Sequence, residues 1–163
     1  MLLALAGEGL LAAPSIARVH SGPSDRQSGA SPTLQQQLPS IGSVSSIGPR
    51  AEQPIKIDGS GFGQLAPYSG NSEYIELADL TRGWNAGWHE PGSPASDTVT
   101  LVVASWRDSE IILNGFAGDY GAVFDSGGNH YDFNLKSGDQ VRLRVWNPQT
   151  SGGPAEYLLT VSE

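Results

Sequence analysis

From residue 41 onward the chain is written in short apolar–polar alternations broken by Gly, Pro, Asn and Asp. The sharpest is Gln140 to Trp146, where Val141, Leu143 and Val145 fall on one face and Arg142, Arg144 and Trp146 on the other. Successive side chains of a strand point to opposite faces, so this two-residue period fits a half-buried strand and defeats the roughly 3.6-residue stripe a helix needs. Val99, Leu101 and Val103 repeat the pattern, as do Ile75 and Leu77. Ile41 to Ile47, Ile55-Lys56-Ile57, Glu110 to Leu113 and Tyr157 to Val161 are shorter β-prone runs between turn residues. Seven runs of this kind in 163 residues predict an all-β, antiparallel two-sheet sandwich.

The first part of the chain reads differently. All four Trp, five Tyr and four Phe lie between Phe62 and Tyr157. Without large side chains a segment has little to offset the entropy of ordering. Residues 20–40 are dominated by Ser, Gly, Pro and Gln, a linker composition. Residues 1–40 are therefore expected to be a disordered segment, and residues 41–163 the folded domain. Leu10-Leu11-Ala12-Ala13 followed by Ser15-Ile16-Ala17 fits a signal-peptide remnant. Against it, no Lys or Arg precedes the apolar stretch and Glu8 interrupts it.

Charge narrows the function classes. The formal charge is −8, from nine Lys and Arg against 17 Asp and Glu. Arg18 and Arg26 cancel Glu8 and Asp25, so the excess belongs to residues 41–163. Dispersed basic residues on an acidic chain argue against nucleic acid and against docking on an anionic membrane. The run from Leu2 to Ala13 is too short and too broken to insert in a membrane as a span. Absence of cysteine removes disulfides, thiol nucleophiles and Cys-based zinc sites.

Several segments in order carry a family likeness. They are Ile41-Gly-Ser-Val44-Ser-Ser-Ile47-Gly-Pro49, Ile55-Lys-Ile57-Asp-Gly59-Ser-Gly61-Phe62-Gly63, Trp106-Arg-Asp108-Ser-Glu-Ile111-Ile112 and Gly138-Asp139-Gln-Val141-Arg-Leu143-Arg-Val145. Through them, residues 41–163 resemble the IPT/TIG domains. The resemblance implies an immunoglobulin-like sandwich, a non-catalytic role in adhesion, spacing or binding, and a bacterial extracellular or cell-surface setting. It names no ligand. This chain departs from a minimal module in two long connections, Gln64 to Asp97 and Asn114 to Leu135. Enlarged loops on a rigid scaffold are where binding is usually built.

The first enlarged loop holds Tyr68, Trp84, Asn85, Trp88 and Glu90. Sugar rings present apolar faces that stack on Trp and Tyr, and their hydroxyls need polar groups beside those rings. These five, with Trp146 on the polar face of its strand, are the candidate glycan-binding residues. The alternatives are that one or both loop Trp cover the end of the core, and that Trp146 merely stacks on Arg144. Phe62 and Trp106 read as framework.

Other motifs carry less. Asp119, Asp125, Asn129 and Asp132 are oxygen ligands of the calcium type, but their spacing matches no calcium loop. Asp125-Ser126-Gly127-Gly128 lacks the partners of a protease triad, and Gly59 to Gly63 lacks the helix and Lys of a phosphate loop. His20, His89 and His130 form no zinc spacing. A copper monooxygenase using His20 as a mature N-terminus would rest on fold analogy alone. No cofactor and no metal is expected. The expected function is a glycan-binding module; the alternative is a spacer or self-assembling subunit contacting neighbouring protein chains through loops, strand edges and the N-terminal arm.

Overall fold

The computed structural model describes residues 38–64, 69–70, 74–88 and 98–163. The arm at residues 1–37, the candidates Tyr68 and Glu90, and His20 and His89 lie outside the described residues. The described residues form strands and no helix. In chain order the strands are β1 (Ser40–Val44), β2 (Glu52–Ser60), β3 (Ser69–Gly70), β4 (Ile75–Asp79), β5 (Trp84–Ala86), β6 (Val99–Arg107), β7 (Glu110–Gly118), β8 (Val123–Ser126), β9 (Asn129–Asp132), β10 (Gln140–Val145) and β11 (Ala155–Thr160).

Eight of them make one hydrogen-bonded path, β1-β2-β7-β6-β5-β4-β10-β11, with β3 paired to β6. All neighbours on the path are antiparallel except β5 and β6, which meet in parallel through a single pair, Ala86 and Val99. The path nearly closes on itself, because Ser162 N donates to Ile47 O at 2.8 Å just beyond β11 and β1. β8 and β9 form a separate hairpin.

The alternating runs bury the faces expected of them. Ile55, Ile57, Ile75, Leu77, Val99, Leu101, Ile111, Leu113, Val141, Leu143 and Val145 are all fully buried. Each such side chain contributes about 1.5–3 kcal/mol relative to exposure. Around the Gly-Ser-Gly-Phe-Gly turn, three connections are stapled by hydrogen bonds. Trp106 Nε1 donates to Phe62 O at 3.0 Å, Asn147 Nδ2 to Gly61 O at 2.8 Å, and Gly63 N to Asp108 Oδ1 at 3.0 Å. Gly63 has φ +70°, and a Cβ there would fall 2.8 Å from Asn147 Oδ1, so this turn requires glycine.

Candidate functional site

β4 is the strand on which the site is built. Ile75 and Leu77 face the core; Glu76 faces out, yet it is only 4% exposed. An ionised carboxylate so covered needs partners, since leaving it unpaired would cost several kcal/mol. Its partners come from both neighbouring strands. Arg144 on β10 is the Cα partner of Glu76, and its Nε donates to Glu76 Oε2 at 2.6 Å. Arg142 Nη2 lies 3.6 Å from the same oxygen. Asn85 on β5 donates from Nδ2 to Oε1 at 3.4 Å.

The aromatic part of the site follows from a break in alternation. In β5, Trp84 and Ala86 point inward and Asn85 outward. Continued alternation would send residue 88 inward as well. Gly87 prevents this: its φ is +86°, and a Cβ there would meet Leu101 Cδ1 at 2.5 Å. This left-handed residue re-aims the chain, and Trp88 emerges on the outer face. There it stacks on Trp146, with ring centroids 6.3 Å apart and planes 24° from parallel. The Arg144 guanidinium lies 5.9 Å from the Trp88 ring and 5.1 Å from the Trp146 ring. Cation–π attraction and the bond to Glu76 hold the group as one unit. Both Trp rings are half-buried, which leaves part of each in solvent.

Four of the six candidate residues are described, and three meet on this face: Asn85, Trp88 and Trp146. Trp84 departs from the open groove expected of it. It is 8% exposed and packs edge-on against Phe116, Tyr120 and Phe133, with centroids 6.1–6.4 Å away. Its place on the inward side of β5 puts it in the core, so it offers no ring face to a ligand. Its Nε1 is buried and has no hydrogen-bond partner among the described residues. Glu76, Arg142 and Arg144 complete the face and were not among the candidates. Arg142 and Arg144 were legible as outward positions of β10; the burial of Glu76 was not, because it depends on strand order.

A second polar cluster ties the β4–β5 turn to the segment before β10. Asp79 ends β4 on the inward side and is 1% exposed. Its Oδ1 accepts from Thr81 N and Arg82 N, both at 2.9 Å, while Oδ2 is buried with no donor among the described residues. Asp139 Oδ2 accepts from Arg82 Nε at 2.8 Å and Lys136 N at 2.7 Å. Burial pushes the Asp79 carboxyl above its ordinary value, and the charge of Asp139 adds to this. Burial also acts to raise Asp139, but bonds from Arg82 and Lys136 outweigh it and hold that carboxyl low. Both influences favour the protonated form of Asp79, in which the orphan Oδ2 would become a donor.

Two of the calcium-type residues, Asp132 and Asp125, are engaged elsewhere. Asp132 Oδ2 takes Lys136 Nζ at 2.9 Å and Arg82 Nη1 at 3.4 Å, and Oδ1 takes Asn134 Nδ2 at 2.7 Å. The bonds from Lys136 and Asn134 bring its carboxyl down to about 2. Asp125 Oδ1 lies 2.9 Å from His130 Nδ1 across the exposed hairpin. Among the described residues no three His, Asp or Glu side chains converge on a metal position.

No family model, no curated protein and no solved structure matches this chain. The likeness to IPT/TIG domains therefore rests on the quoted residues alone.

Proposed function

We propose that this chain is a non-catalytic, bacterial extracellular or cell-surface binding module of immunoglobulin-like type, and that it binds glycan on the outer face of β5, β4 and β10. The strand order supports the fold reading. Cut at the lone Ala86–Val99 pair, the path falls into β1-β2-β7-β6 and β5-β4-β10-β11. These correspond to the A-B-E-D and C′-C-F-G orders of immunoglobulin-like sandwiches. The observation that carries the function is the Trp88–Trp146 stack, held beside Arg144, Glu76 and Asn85. It combines ring faces with fixed polar groups, the combination a sugar ring requires.

The test is a polysaccharide binding screen with the full chain, alongside Trp88→Ala and Trp146→Ala. Each variant should weaken binding about tenfold or more, while thermal unfolding shows both still folded. Failure of the folded parent to bind any polysaccharide would sink this reading.

The second reading, a self-assembling or spacer subunit, is favoured by the β8–β9 hairpin. It stands apart from the main path and exposes Val123 and Tyr131. Light scattering across a concentration series tests it; a monomer throughout counts against assembly.

A further inference from the structure

We infer that the ligand of this face is an acidic glycan, with Arg142 gripping its carboxylate or sulfate while a sugar ring stacks on the Trp88–Trp146 pair. The inference rests on the glycan reading and narrows it. Its basis is which polar groups on the face are already engaged. Glu76 offers two oxygens. Asn85 uses one, and Arg144 holds the other at 2.6 Å. Arg142 reaches that second oxygen only at 3.6 Å, beyond hydrogen-bonding distance.

Among the described residues the Arg142 side chain makes no hydrogen bond, its charged contact being the 3.6 Å approach to Glu76, and its Nε is buried without a partner. Its cross-strand neighbours are Ala78 and Leu158, whose side chains have no acceptor. Leu158 is 66% exposed, and the Arg142 side chain, apart from its buried Nε, keeps 30% of its surface in solvent. An arginine so placed has a planar donor fork and lacks an acceptor to match it. Carboxylate and sulfate provide two oxygens in that geometry. An uncharged hydroxyl would leave most of the fork unanswered.

Position supports the same ligand. Arg142, Arg144 and Trp146 are successive outward residues of β10, about 6.6 Å apart along the strand. The oxyanion site therefore lies about 13 Å from the ring of Trp146 at the strand level, a span suited to an extended chain rather than a single sugar. The chain's −8 charge does not forbid this. At physiological ionic strength charges are screened beyond about 8 Å, so the residues of the face decide. Its described charges are Arg142 and Arg144 against buried Glu76 and exposed Glu156, which faces Arg144 across β11 and forms no ion pair among the described residues. Among the described residues, Glu156 is the one solvent-facing carboxylate there that competes with the ligand.

The experiment titrates the full chain with matched pairs: polygalacturonate against its carboxyl-reduced form, and dextran sulfate against dextran. The first pair tests carboxylate and the second tests sulfate. At least one acidic member should bind about tenfold or more tightly than its neutral counterpart. Arg142→Gln should abolish that ratio and Arg142→Lys restore it only in part, while Glu156→Gln should raise acidic affinity a fewfold. Trp146→Ala should weaken acidic and neutral forms alike. Equal binding of acidic and neutral members, still dependent on Trp146, would overturn the acidic ligand and leave the glycan reading standing. A ratio unchanged in Arg142→Gln would overturn the role of Arg142. Binding to none of the four, nor to any polysaccharide in the wider screen, would overturn both readings.

Discussion

Trp84 and Trp88 stand four residues apart, each directly after a glycine, and serve opposite sides of one sheet. Trp84 is wrapped by Phe116, Tyr120 and Phe133. Trp88 shares the outer face with Trp146 and Arg144. The difference does not come from the rings or from their local composition. It comes from Gly87, whose positive φ interrupts strand alternation and turns the second ring outward. One residue thus separates a core tryptophan from one on the outer face.

That contrast can be broken in stages. Trp84→Ala should have the largest effect, about 3–5 kcal/mol of destabilisation by chemical denaturation, because it empties an enclosed aromatic site. Gly87→Ala comes next, at about 1–3 kcal/mol, since alanine resists positive φ and its Cβ meets Leu101. Any folded fraction should lose the Trp88–Trp146 contact, seen as a changed near-ultraviolet circular dichroism. Trp88→Ala should cost less than about 1.5 kcal/mol, because its ring is half-solvated and only one stacked pair is lost.

The Asp79 cluster adds a pH arm to the comparison, since the turn it fastens leads directly into Trp84. Asp79 is raised in the folded state from 3.8, so its contribution is fully present below the unfolded value and is lost as pH rises through the folded one. Asp132 and Asp139 are lowered and act oppositely. Their contributions are present above about 3.8 and fall away in acid, for Asp132 through about 2. Asp79→Asn, which keeps an acceptor and supplies a permanent donor, should flatten the loss of stability on the rising-pH side. Denaturation series across pH would show it. An unchanged slope would mean that no proton is held between Asp79 and Asp139.

The legible parts of this molecule are those governed by nearest neighbours. Val141, Leu143 and Val145 declare their face through alternation alone, and the seven runs anticipated from the pattern all fall in or beside described strands. Phe62 and Trp106, read as framework from their places in the family-like motifs, are both buried. The three residues of β5 were too few to show a period, so Trp84 read as loop, and its burial stood only as the alternative to a binding role. β8 and β9 were taken as loop for a related reason: the hairpin is exposed, and no apolar face marks its strands, although Gly127-Gly128 supplied the turn signal. The site was half legible. Trp146 and Arg144 could be placed side by side from β10, but the meeting with Trp88 and Glu76 required the order in which β5, β4 and β10 pair, a long-range property that local pattern does not encode.

The central claim is that the outer tryptophans, and not the inner ones, meet the ligand. Indole N–H resonances followed by NMR during titration with a bound polysaccharide test it most directly. The account predicts that the Trp88 and Trp146 signals move with ligand while those of Trp84 and Trp106 stay in place. Shifts confined to Trp84 or Trp106, or saturation of binding with Trp88 and Trp146 unmoved, would contradict it.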